Sequence, residues 1–363
     1  MIHSLVAGCF IILAFIVLIN PPAHNTKAKY WFSGFLLCVG LGLAERDLYQ
    51  QNPDFVVVSE CSRFLIAPFL YFSIVYFTKP KFVFSIYSSL HFIPFVIFSF
   101  FAIVFLIQHE YPLSLPKPIS RYFGLFLSLS LKLQILIYWV YSFLLLRKHR
   151  KNVQLFSTET NQVNLNWLTN LLYIILVIIV IAILSAGFSH LLIFPYLPII
   201  YCLCSGFIAY YIIPQKEIYP FPETVKTEIQ EIIEVTSSKK SPIARLSEAE
   251  MAFLKTKLEL IMEQDKPYLQ SDINLFQLAE YLNISTHDLS FLLNTGLSIN
   301  FNDYINNYRI NEAKRLLKSP KHTYLSIEGI GYESGFSSKS SFFTSFKKIV
   351  GLSPLAFKKV DMP

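Results

Sequence analysis

Charge is scarce in this chain. Of 363 residues, 15% are Asp, Glu, Lys or Arg, 53% are hydrophobic and 16% aromatic; a soluble protein carries about 25% charged residues. With a mean hydropathy of +0.47 this excludes an ordinary soluble protein of this size. Cysteine is sparse and unpatterned: Cys9, Cys38, Cys61, Cys202 and Cys204 all precede Pro214, and none stands in the C-x-x-C spacing of a zinc or redox site. A disulfide scaffold and a metal centre are not expected, and the cysteine-free second half suits a reducing cytosol. Also missing are a G-x-S-x-G elbow, an H-E-x-x-H pair, a phosphate-binding glycine loop and a carboxylate pair within the apolar runs. Neither a catalytic residue nor a cofactor is expected.

The net charge of +7 is unevenly spread. Long stretches before Pro214 carry almost no charge while the remainder is ordinarily polar, so two domains of different solvent are implied. Crossing a hydrocarbon core of about 30 Å takes about 20 apolar residues as helix. Seven runs approach this: Leu5–Ile19, Tyr30–Ala44, Phe55–Phe77, Val83–Ile107, Arg121–Leu146, Leu165–Phe188 and Leu191–Ile213. The second is short and needs a helical extension. The first lacks the basic flank and small-residue cleavage site of a signal peptide. Lys and Arg in short loops mark the cytoplasmic side. With the amino terminus outside, that side holds nine cations (Lys27, Lys29, Lys79, Lys81, Arg147, Lys148, Arg150, Lys151, Lys216) against three outside (Arg46, Lys117, Arg121). The expected place is the bacterial inner membrane, multi-pass, amino terminus external and carboxyl terminus cytoplasmic.

Residues 1–213 thus form a membrane domain and 214–247 a linker, marked by Pro220, Pro222, Pro242 and the run Ser237–Ser241. Within the linker, Val225, Ile229 and Ile232 are spaced four and three apart on a potential helix Glu223–Val235. That spacing suits a short homodimer seam or a helix resting on the bilayer.

From 248 to 363 the pattern is of short, punctuated helices: Glu248–Glu263, Leu275–Leu282, Thr286–Asn294, Phe301–Leu317, Ser326–Glu333 and Ser338–Val350, with Ser285 and Ser337 as N-caps. Two segments repeat one design of short helix, tight turn and second helix. The first, Leu275–Asn294, turns at Asn283, and the second, Leu325–Lys348, at Gly335; the helix Phe301–Leu317 joins them. The fold class is therefore all-α, a polytopic helical membrane bundle followed by a soluble domain with two helix-turn-helix units.

The strings NLFQLAEYLNIS, FNDYINNYRINEAKRLL and GFSSKSSFFTSFKKIVGLSP carry a resemblance. The last ~115 positions resemble the DNA-binding domain of AraC-type transcription regulators. With seven spans ahead of LSFLLN and NF, the whole chain resembles the membrane-embedded AraC-type regulators of Bacteroidetes-type bacteria. The resemblance implies double-stranded DNA as partner, with Ser340 and Thr344 reading base edges and Lys339, Lys347 and Lys348 on phosphates. Helical geometry agrees, putting Phe342, Phe346 and Ile349 on the inner face and Ser340, Thr344, Lys347 and Lys348 outside. In the first unit Leu289, Leu292 and Leu293 face inward, leaving His287, Ser290, Phe291 and Asn294 outward; Phe291 suits a thymine methyl or a protein contact equally. Residues 245–304 carry four basic and nine acidic residues, whereas 305–363 carry ten basic and four acidic, so the second unit has the phosphate-binding footprint. Gly329 and Gly331 suggest a loose opening helix in that unit. Arg309 and Glu312 on the connector suit structure or function.

In the spans, ionisable residues are costly and mark candidate sites. Glu60 and Arg63, three apart on one helical face, and Lys132, near mid-membrane, suggest a pocket for an anionic small-molecule or envelope signal; His91 is a further clue. Glu60 and Arg63 also suit a simple local ion pair. The function expected is a one-component regulator in the bilayer. The rival is a transporter or receptor whose helical domain docks a protein partner, with Pro68, Pro94, Pro195 and Pro198 breaking spans.

Overall fold

The computed structural model describes residues 2–19, 25–48, 53–79, 82–107, 117–158, 165–187, 197–215, 232, 246–322 and 324–360. The chain divides into two compact units, residues 1–148 with 165–218, and residues 149–164 with 219–363. Sequence gives no reason to separate 149–164 from the membrane domain, yet it groups with the second unit. The expected linker helix Glu223–Val235 lies outside the described residues except for Ile232.

The first unit is built of helices, which pair the backbone groups of long apolar runs within their own segments. Its elements are α1 (Ile2–Ile19), α2 (Thr26–Leu48), α3 (Pro53–Thr78), a short α4 (Ile86–Ser89) with one 3-10 turn (Leu90–Phe92), α5 (Ile93–Ile107), α6 (Lys117–Val153), α7 (Asn166–Gly187) and α8 (Leu197–Ile212). Among the described residues, four segments are long and apolar enough to cross a membrane: Ile2–Ile19, Glu60–Thr78, Ile86–Ile103 and Phe126–Val153. Two shorter apolar helices, Asn166–Ile181 and Leu197–Ile212, accompany them.

Helix α2 is the inner element, packed against both α1 and α3. Small residues permit that approach: a Cβ on Gly34 would meet the Phe69 ring at 2.9 Å and one on Gly40 would meet Ile11 at 2.8 Å. Hydroxyls tie the helices across their backbones, with Ser33 donating to Ala14 O at 2.7 Å and Ser73 to Ala28 O at 2.9 Å. Pro68 lies within α3 without ending it. Its ring leaves the carbonyl of Phe64 without its usual amide, and Gln134 Nε2 on α6 donates to that oxygen at 3.2 Å.

In the second unit α9 (Glu248–Gln264), α10 (Leu275–Leu282), α11 (Thr286–Phe291), α12 (Phe301–Lys318), α13 (Ile327–Glu333), α14 (Lys339–Val350) and α15 (Pro354–Val360) follow in order. Their starts are written in the sequence. Ser247, Asn274, Ser285, Asn300, Ser326 and Ser338 each accept an amide from the first turn through their side chains. The cap of α14 is thus Ser338 rather than Ser337. Helix α11 gives way to a π-helical turn over Leu292–Gly296 instead of running on to Asn294 as α-helix. The connector α12 contributes to an apolar cluster of Ile310, Ala313, Leu316, Leu317, Ile330, Phe336, Phe342 and Phe346.

Candidate nucleic-acid interface

Both helix-turn-helix turns are backbone-determined. Asn283 caps α10 at φ 55°, the left-handed conformation that Asn tolerates better than most residues. Gly335 turns between α13 and α14 at φ +92°, and a Cβ there would lie 2.3 Å from the carbonyl oxygen of Tyr268. Only glycine fits. Gly331, expected to loosen the opening helix, instead admits the Phe342 ring, which would come within 2.7 Å of a Cβ. The helix it belongs to is formed and packed.

The outer face of α14 is as the periodicity predicts for most positions. Phe342 and Phe346 are fully buried, while Ser340, Thr344, Lys347 and Lys348 are exposed. Ile349, expected inside, is 36% exposed. At 100° per residue it lies about 60° off the Phe346 direction, whereas Val350 lies about 40° off on the other side, and Val350 packs against the core. Lys339 pairs with Glu328 at 3.2 Å and sits over the Phe343 ring. Lys348 Nζ donates to Asp303 Oδ1 at 2.6 Å, so one of the expected phosphate contacts is held by a carboxylate.

The first unit differs from expectation. Leu289, Leu292 and Leu293 are buried as expected. Ser290, expected outward, is buried and accepts Asn294 Nδ2 at 3.1 Å. Thr286, one turn earlier on the same face, is buried as well, so the buried stripe of α11 is wider than the three leucines define and takes in Ser290. His287 and Phe291 are half-buried. This face offers less to a groove than α14 does.

Arg309 holds the unit together from within. It is 1% exposed; Nε donates to Tyr268 O and Nη2 to Gln270 O, both at 2.7 Å, and the guanidinium lies over the Phe336 ring. Burial lowers its pKa to about 10, with Asp272 opposing. The residue is structural. Glu312 pairs with Arg315 at 2.6 Å, and those bonds hold its carboxyl below the usual range.

In the unit of residues 1–148 and 165–218, Arg63 is shared by two carboxylates, Glu60 at 3.0 Å and Glu45 in closer contact. Sequence reasoning missed Glu45, which lies 18 positions away and gave no local signal. Arg63 lines an apolar cavity of about 320 Å³, together with Phe35, Leu70, Tyr138, Trp139 and Tyr201. Lys132 is half-buried on α6 and is not among the residues lining that cavity. His91 Nδ1 hydrogen-bonds the Tyr138 hydroxyl at 2.5 Å. Among the described residues no cluster of His, Cys, Asp or Glu has the arrangement of a metal site.

A family model described as "Helix-turn-helix domain" matches residues 278–359. An uncharacterized HTH-type transcriptional regulator, YfiF, of Bacillus subtilis (strain 168) is 35% identical over 96 residues, which is 26% of this chain and 29% of that protein. The match thus spans less than a third of the relative's length. No solved structure matches the chain significantly. The family match covers all but the first residues of the double helix-turn-helix region, so the carboxyl-terminal part of this chain is a helix-turn-helix domain of the AraC type.

Proposed function

We propose that the protein is a membrane-bound, one-component transcription regulator. The carboxyl-terminal domain engages promoter DNA from the cytoplasmic side, and the membrane unit receives an extracytoplasmic or intramembrane signal. The observation that carries the reading is the exposed Ser340, Thr344 and Lys347 face of α14, backed by two buried phenylalanines, within a region matched as helix-turn-helix. A helix so presented enters a major groove, with hydroxyls at base edges and amines at phosphates. Membrane anchorage is supported by the four long apolar helices and the cytoplasmic bias of Lys and Arg.

The sensing role rests on the apolar cavity and the Glu45–Arg63–Glu60 group beside it. Two carboxylates already pair with Arg63, the charged residue lining the cavity, which disfavours the anionic ligand that the sequence suggested and favours an apolar molecule.

Two measurements test the proposal. A cytoplasm-active reporter fused after Lys216 is expected to be active and a periplasm-active one silent; the reverse would place the helix-turn-helix domain outside and end the reading. Genome-wide mapping of DNA bound by the full chain is expected to give discrete promoter sites, and uniform background would refute it.

A further inference from the structure

The segment that follows α6 is built into the DNA-binding unit. Val153 and Phe156 are 0% and 2% exposed. The Asn302 amide donates to Gln154 O at 3.1 Å and the Leu275 amide to Phe156 O at 3.0 Å. Ser157 and Asn274 form an antiparallel bridge. Asn302 Nδ2 donates to Ser157 O at 3.1 Å, and Thr158 Oγ1 donates to Ile273 O at 2.8 Å.

These bonds fall at two particular places. Leu275 is the first residue of α10, the opening helix of the first helix-turn-helix unit, and Asn302 lies in the first turn of the connector α12. First-turn amides have no partner inside their own helix. One short segment therefore supplies carbonyls to the starts of two helices at once, and fixes how the first unit meets the connector. Arg309, through Nη2, reaches Thr158 Oγ1 at 3.4 Å from the same connector.

The segment is also continuous with a membrane helix. Helix α6 runs unbroken from Lys117 to Val153, and its last turn belongs to the second unit. An α-helix is stiff along its axis, so a rotation or axial shift of α6 arrives at Gln154 with little loss. We propose that residues 154–158 are the transducing contact, which carries the state of the membrane unit to the DNA-binding unit by repositioning α10 against α12. This route is separate from the linker 214–247, and it rests on the regulator reading above. Two arrangements of the contact that differ in DNA affinity are what such coupling requires.

The test uses the full chain in lipid nanodiscs, with its five native cysteines replaced by alanine, and a duplex that the full chain selects from genomic fragments. One variant carries Ser157→Cys with Asn274→Cys, a bridged pair close enough for a disulfide. The other has Gln154–Thr158 replaced by Gly and Ser at equal length. The disulfide is expected to close under mild oxidation, and reduction should restore the affinity of the cysteine-free parent. In the replaced chain, amide exchange at Leu275 and Asn302 should accelerate. Locked and replaced chains should differ in affinity for the duplex by about fivefold or more.

Failure of the disulfide to form, together with unaltered exchange in the replaced chain, would overturn the docking. Closure or faster exchange with equal DNA affinities in both chains would reduce the segment to packing and overturn the transduction. Absence of specific DNA binding by every version, native included, would refute the regulator reading itself, and this proposal with it.

Discussion

Replacing Gly335 by alanine isolates what the second turn demands. The residue sits at φ +92°, where an L side chain costs about 1–2 kcal/mol. The added Cβ would lie 2.3 Å from Tyr268 O and 2.8 Å from Leu269 Cα, both backbone atoms that cannot swing aside as a side chain would. Tyr268 O also accepts Arg309 Nε at 2.7 Å. Pushing it away weakens a buried charge-assisted bond of about 1.5–3 kcal/mol. The loss is therefore about 2.5–5 kcal/mol, against about 5–15 kcal/mol for a whole domain. Gly351 supplies the control. It has φ +81° but open space around its Cβ, so Gly351→Ala should cost only the backbone term, about 1–2 kcal/mol. Hydrogen exchange by mass spectrometry on peptides from α13 and α14 of the full chain reads both. Gly335→Ala should speed exchange about a hundredfold or more, at about 1.4 kcal/mol per tenfold, and Gly351→Ala about tenfold. Equal acceleration in the two variants would refute the steric reasoning.

Further expectations concern DNA and pH. Lys347→Ala should weaken binding to all duplexes alike and lower the salt slope by about 1, measured by fluorescence anisotropy at several ionic strengths. Lys348 is already paired with Asp303, so Asp303→Asn should release it and tighten binding in the same assay; unchanged affinity would mean the pair breaks freely on docking. Thr344→Ala should alter preference at one or two base pairs by about 1–3 kcal/mol, read from a binding-site selection. The Glu312 carboxyl is held below its ordinary range by Arg315. Its stabilising contribution is therefore full above that range and lost as pH falls through the lowered value. Glu312→Gln should flatten this acid limb of stability.

The local chemistry of the second unit was legible because each helix carries its own start and stop signals. Leu275–Leu282 was read to the residue from its apolar spacing and the Asn283 stop. Asn283 and Gly335 were named as turns because few residues serve there. Helix α15 lies beyond the last helix expected, although Pro354 stands at its first position, where proline begins a helix. Ser290 falls outside the face that three leucines define, but buried Thr286, one turn earlier, widens that face to include it. The docking of 154–158 leaves no trace in composition, since its contacts are largely main-chain carbonyls that any residue supplies. Glu45 and Gln134 were equally silent. Their partners, Arg63 and the Phe64 carbonyl, lie 18 and 70 positions away, and periodicity within one helix does not report on another.

The central claim is that one chain holds specific DNA while seated in a membrane. Inside-out and right-side-out membrane vesicles carrying the full chain can be incubated with labelled genomic fragments and collected by flotation. Inside-out vesicles are expected to retain a discrete set of duplexes, and to lose them when Thr344, Lys347 and Lys348 are all replaced by alanine, while right-side-out vesicles retain none. Retention unaffected by the triple substitution, or confined to right-side-out vesicles, would contradict the claim.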